Sequence, residues 1–141
     1  MVVLCTVVAA GCGSGQARKS LPGLTSPKLV RLTKIARDSF KGMAGDQRPS
    51  SATVFATSRH EVNIVDGPGT VSPGSQGVYL VVVRGHFTCT SCSIWPGGRL
   101  SRGDFALVLD RKTLRFLDES IGGRVNTSKL GPGVPLQLGK A

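Results

Sequence analysis

Between Gly77 and Gly85 the chain reads Val78-Tyr79-Leu80-Val81-Val82-Val83-Arg84, six apolar residues without a break. The run is too short for a globular helix, is bounded by glycine and is rich in β-branched side chains. It therefore predicts a strand buried on both faces, in the middle of a sheet. Phe87 keeps the parity of Tyr79, Val81 and Val83, whereas Arg84 and His86 make the other face polar at the far end. A second apolar pattern has helical spacing. Leu29, Leu32, Ile35, Ala36, Phe40 and Met43 share one arc, Lys28, Arg31, Lys34, Arg37 and Lys41 lie mostly opposite, and Ser26-Pro27 supplies a capping hydroxyl with proline at the first helical position. Gly42 or Gly45 should end this helix.

Shorter elements follow from local signals. Ala52-Thr53-Val54-Phe55-Ala56 predicts a strand, and Ser58 with Glu61 forms a capping box that opens a short helix over residues 59–65. His60 then falls in an exposed first turn. Phe105 to Leu109 predicts a strand, Asp110-Arg111-Lys112-Thr113 a tight turn, and Leu114 to Glu119 the returning strand of an antiparallel meander. The expected fold is α+β: an antiparallel sheet of about four strands covered by one long amphipathic helix and one short helix.

The start of the chain changes the picture from fold to address. Val2 to Ala10 is an uncharged apolar run, too short to cross a bilayer and of the length of a signal-peptide core. It ends in Ala9-Ala10-Gly11-Cys12, which resembles the lipobox of bacterial lipoproteins, whose cysteine is acylated and becomes the first mature residue. Ala9 stands where that pattern usually has a larger aliphatic residue, and no Lys or Arg precedes the apolar run. Ordinary cleaved secretion is the competing reading, and a buried N-terminal strand a third. The expected organisation is a signal segment over residues 1–11, a Gly/Ser/Lys-containing tether over 12–25, the α+β domain over 26–121 and a Gly/Pro-rich tail over 122–141. In that tail Leu130, Val134, Leu136 and Leu138 are able to dock on the domain.

Charge narrows the partners. Eighteen Lys and Arg against eight Asp and Glu give a formal net charge of +10, which favours anionic surroundings. Nucleic acid is disfavoured, because the cations are spread along the chain and the few aromatic residues are needed for the core rather than for a stacking platform. Anionic lipid, a cell-wall polymer or a protein partner at the outer face of the cytoplasmic membrane fits an exported, lipid-anchored chain better. A basic helix of this kind can also lie on a membrane. The sheet needs a cover, however, which favours packing of its apolar arc with the charges as a solvated face.

One compact constellation carries chemistry: His86-Phe87-Thr88-Cys89-Thr90-Ser91-Cys92. The favoured reading is a small loop disulfide between Cys89 and Cys92 in an exported protein. As alternatives, His86, Cys89 and Cys92 offer three ligands for a soft metal, with no second pair to complete a tetrahedron, and the Cys-x-x-Cys spacing suits thiol redox work. The following Ser93-Ile94-Trp95-Pro96-Gly97-Gly98 is a poor helix, so the helix N-terminus that activates such a thiolate is not signalled. No Gly-x-Ser-x-Gly elbow, paired-carboxylate spacing or phosphate loop is present in the sequence, and Asp118-Glu119 should point to opposite faces of a strand. No cofactor is called for. The expected activity is non-catalytic binding, with thiol-redox or metal handling as the alternative and a small secreted hydrolase as a class without a motif.

Over roughly residues 52–136 the chain also resembles a family of small secreted proteins and lipoproteins of actinobacteria whose function is uncharacterised. The resemblance is carried by Val78 to Phe87, the Pro96-Gly97 loop, Leu107-Val108-Leu109-Asp110 with Thr113, and Leu130-Gly131-Pro132. The hairpin is similar to that of PepSY-type domains, in which an Asp-x-x-Thr-Gly turn joins two strands under a helix. Leu114 stands in place of that glycine, so a left-handed residue at the turn is not implied. The resemblance assigns no catalytic residue and does not include the cysteine pair.

Overall fold

The computed structural model describes residues 21–41, 44–45, 49, 51–66, 73–88, 102–122 and 124–139. The elements in chain order are helix α1 (Ser26–Lys41), strand β1 (Ala44–Gly45), β2 (Ser51–Ser58), helix α2 (Arg59–Asp66), β3 (Gly77–Thr88), β4 (Arg102–Asp110), β5 (Phe116–Ile121), a 3-10 turn (Thr127–Lys129) and β6 (Val134–Pro135). All strand pairs are antiparallel, and the sheet order is β5-β4-β3-β2-β6, with β1 pairing β3 beside β2.

The α+β architecture and the central position of β3 follow the hydrophobic pattern. The strand count does not, since the main path holds five strands rather than four. The additional strand is β6, whose two residues pair with Thr53 and Val54 of β2. Two residues, one of them proline, are too short to show periodicity. Leu136 continues the contact by donating its N–H to the Ala52 carbonyl, 2.8 Å away, and Leu136 and Leu138 are buried.

β3 has core on both sides, as its unbroken apolar run predicts. Tyr79, Val81, Val83 and Phe87 pack with Leu32, Ala36 and Phe40 of α1 and with Phe105, Leu107 and Leu109 of β4. Val78, Leu80 and Val82 face the other way, against Phe55, Ala106, Val108, Val125 and Val62 of α2. The result is three layers, with α1 over one face and α2 with the 125–130 stretch over the other. Each fully buried aliphatic or aromatic side chain contributes roughly 2 kcal/mol to this arrangement. The apolar arc of α1 is thereby consumed by the sheet, and Arg31, Lys34 and Lys41 remain on its solvent side.

Local chemistry sets the boundaries. The capping box forms as the spacing predicts: the Glu61 carboxylate accepts from the Ser58 N–H at 3.1 Å, and the Glu61 N–H donates to Ser58 Oγ at 3.3 Å. The Thr57 hydroxyl also donates to Glu61. Its hydrogen bond, followed by that of the Ser58 backbone, lowers the Glu61 pKa. The Arg59 and His60 N–H groups donate to the Gln76 and Gly74 carbonyls, so the start of α2 is closed by the loop ahead of β3.

The β4–β5 turn differs from the expected one. Asp110 Oδ1 accepts from the N–H groups of Lys112 (2.9 Å) and Thr113 (2.7 Å) and from the Thr113 hydroxyl (2.8 Å). Leu114 nevertheless takes the left-handed conformation, φ 59°. A non-glycine residue there costs on the order of 1 to 2 kcal/mol. Burial of the Leu114 side chain in the α1-side core and its N–H bond to the Asp110 carbonyl offset that cost. The detour delays the returning strand to Phe116.

Candidate functional site

The sheet has two chemically different ends. At the end where α1 begins, Tyr79 is fully buried and donates its hydroxyl to the Pro22 carbonyl at 3.3 Å. Burial raises its pKa, and the nearby Arg111 charge opposes that shift. The Arg111 guanidinium lies across Gly77, where a Cβ would come within 2.6 Å of its terminal nitrogen. Glycine at the start of β3 is therefore what lets this cation fold back over the strand. Lys28 of α1 donates its ammonium to the Arg111 carbonyl at 3.1 Å, which ties the helix to the hairpin turn.

Among the described residues, cations gather there with no carboxylate in an ion pair with them. Lys112 and Arg115 are exposed on the hairpin, and Arg31 is exposed one helical turn beyond Lys28. Asp110 is the carboxylate of this turn, yet its oxygens are occupied by neutral donors, including Gln76 at 3.0 Å. Those bonds, the Thr113 N–H first, hold its pKa down to about 2. Among the described residues the ion pairs are Lys34–Asp38, Arg59–Asp118 and Arg84–Asp104, and none involves Lys28, Arg31, Arg111, Lys112 or Arg115.

At the opposite end β3 is bulged. Val83 pairs with Phe105 and Phe87 with Gly103, so Arg84, Gly85 and His86 lie opposite Asp104 alone. Gly85 is where the Phe87 ring folds back: a Cβ would sit 2.8 Å from the ring. This seats Phe87 6.0 Å, centroid to centroid, from both Phe40 and Phe105. On the other face the Arg84 guanidinium pairs with buried Asp104 and donates to Thr127 Oγ1 at 3.4 Å, while the Val125 N–H donates to Asp104 at 3.3 Å. The cluster holds the 125–127 stretch against the sheet. It is a structural clamp.

Of the sequence-predicted site residues, His86 lies within β3, in the bulged stretch, and Cys12, Cys89 and Cys92 fall outside the described residues. The expected disulfide, metal set and lipidation site are thus not tested by the fold. His60 is exposed in the first turn of α2, as expected. Asp118 and Glu119 do point to opposite faces: Asp118 pairs with buried Arg59 at 2.6 Å, and Glu119 is exposed opposite Leu107. No group of three His, Cys, Asp or Glu suited to a metal occurs among the described residues, and no helix among them is long and apolar enough to cross a membrane.

Sequence reasoning missed the cationic end and both buried ion pairs. Arg84 was signalled by its position at the polar end of a buried strand, but Asp104 and Asp118 were not. The convergence of Lys28 with Arg111 joins residues 83 positions apart, which no local pattern encodes. Comparison with family models, curated proteins and solved structures finds no match for the chain.

Proposed function

We propose that the protein is an exported bacterial lipoprotein whose α+β domain is held at the outer face of the cytoplasmic membrane by acylated Cys12 and works by binding rather than by catalysis. The observation that carries this reading is the lipobox-like Ala9-Ala10-Gly11-Cys12, nine positions ahead of Leu21, the first described residue and one buried in the core. That separation spans at most about 30 Å when extended, so an acyl anchor would keep the domain against the membrane.

Fractionation of the native host tests the anchor. The wild-type chain is expected with the membranes, resistant to salt and released by detergent, and Cys12→Ala is expected to remain uncleaved. A soluble mature form beginning elsewhere than Cys12 would overturn the reading. In the same proposal Cys89 and Cys92 form an inert bridge in the loop that follows β3. Alkylation should label neither thiol before reduction, whereas stoichiometric zinc or copper lost on Cys89→Ser/Cys92→Ser would establish the metal alternative with His86.

A further inference from the structure

We propose that the cations gathered where the chain joins the domain (Lys28, Arg31, Arg111, Lys112 and Arg115) form a contact surface for anionic phospholipid headgroups. The inference deepens the lipoprotein reading and rests on it for the domain's orientation. It stands on two independent observations.

The first is charge complementarity produced by the fold. Lys28 and Arg31 are one turn apart on α1, and the Lys28 ammonium reaches the Arg111 carbonyl, which brings the helix cations beside those of the hairpin. Bringing like charges together is unfavourable unless an anion is nearby, and elsewhere the domain answers its structural cations with acids. Arg59 has Asp118 and Arg84 has Asp104. At this end the one carboxylate of the turn, Asp110, is ionised but bonded to backbone N–H groups, the Thr113 hydroxyl and the Gln76 amide rather than to a cation, so five cations stand against a single negative charge. The Arg111 guanidinium is held in place by its packing over Gly77.

The second is position. The Tyr79–Pro22 hydrogen bond fixes the start of the domain at this same end, and residues 1–20, with the apolar run and Cys12, lie immediately before it. Far from it, Thr88 closes β3 about 30 Å along the strand. An anchor acting through Cys12 therefore brings the cationic end, rather than the bulged end, to the bilayer. A diacylated Cys12 would supply the anchoring itself, so the basic patch acts on how the domain rests against the headgroups, adding electrostatic attraction to anionic lipid. Each cation near an anionic leaflet strengthens partition by about fivefold.

The test uses the full unacylated chain carrying Cys12→Ser and vesicles of phosphatidylcholine with or without phosphatidylglycerol. The phosphatidylglycerol-dependent part of the partition is the readout, so insertion by the apolar N-terminal run is subtracted. Arg31→Gln/Lys112→Gln/Arg115→Gln changes three exposed side chains and is expected to lower that part roughly a hundredfold. Lys41→Gln/Arg124→Gln/Lys129→Gln removes the same charge elsewhere and is expected to lower it less than tenfold. Raising the salt should abolish it, because the Debye length falls to about 3 Å at 1 M. Equal losses from the two triple variants, or salt-independent binding, would overturn the proposal. Binding to soluble anionic wall polymer with the vesicles left bare would overturn it in favour of that polymer. Acylation at Cys12 is read separately by mass, so failure of the patch and failure of the lipoprotein reading are distinguishable.

Discussion

The Tyr79 hydroxyl, at the start of the central strand, donates to the carbonyl of Pro22, 57 residues earlier in the chain. The bond joins the most buried strand of the sheet to the stretch from which any N-terminal anchor must pull. Tyr79→Phe keeps the ring and removes the donor, leaving a carbonyl to seek water. The expected cost is about 1 kcal/mol, seen as a fall of roughly 3 °C in thermal midpoint, with faster amide exchange at Leu24, whose N–H donates to Leu21. An unchanged exchange rate there would show that the bond does not secure the junction.

Asp110 sets an acid limit on the hairpin. Its pKa is held at about 2, below the ordinary value of 3.8, by bonds made only in the folded state. The unfolded chain therefore binds the proton more readily. The contribution is fully present above about pH 4 and is lost as the pH falls through 2. Unfolding midpoints of the wild type should drop across that window, and Asp110→Ala should be less stable at neutral pH but flatter below pH 4. Parallel acid limbs for the two proteins would contradict this.

Arg59 and Asp118 differ in burial, with side chains 1% and 25% exposed. Removing the acid leaves a deeply buried cation without this carboxylate, whereas removing the cation leaves an acid that water can reach. Asp118→Ala is expected to cost about 3 kcal/mol and Arg59→Met clearly less. The double variant should cost less than the sum of the two. Denaturant unfolding reads all three, and strict additivity would show that the pair is not coupled.

The Phe87 ring occupies the space that a side chain at position 85 would need. Gly85→Ala must displace a ring buried between Phe40 and Phe105. The expected loss is about 2 kcal/mol, with the aromatic signals of all three phenylalanines shifted. A neutral substitution would mean that the bulge absorbs the methyl group instead.

What was legible in the sequence was whatever a period or a cap encodes. The unbroken Val78 to Val83 run placed β3 at the centre, the arc through Leu32, Ala36 and Phe40 placed α1 on one face, and Ser58 with Glu61 placed the start of α2 at the residue observed. The features that escaped are long-range or depend on exceptions. β6 is two residues long, and Leu114 adopts a glycine-like conformation because its side chain gains burial there. The cationic end forms only when Lys28 meets Arg111. The cysteines that carried the sequence-level chemistry lie outside the described residues, so their roles rest on the sequence and on solution tests.

Mass spectrometry of the intact protein purified from its native host tests the central claim most directly. The expected result is a chain that begins at Cys12, carries the added mass of a diacylglyceryl group on that residue, and gains two hydrogens per Cys89–Cys92 bridge on reduction. An unmodified Cys12, or a mature chain that starts at any other residue, would contradict the account.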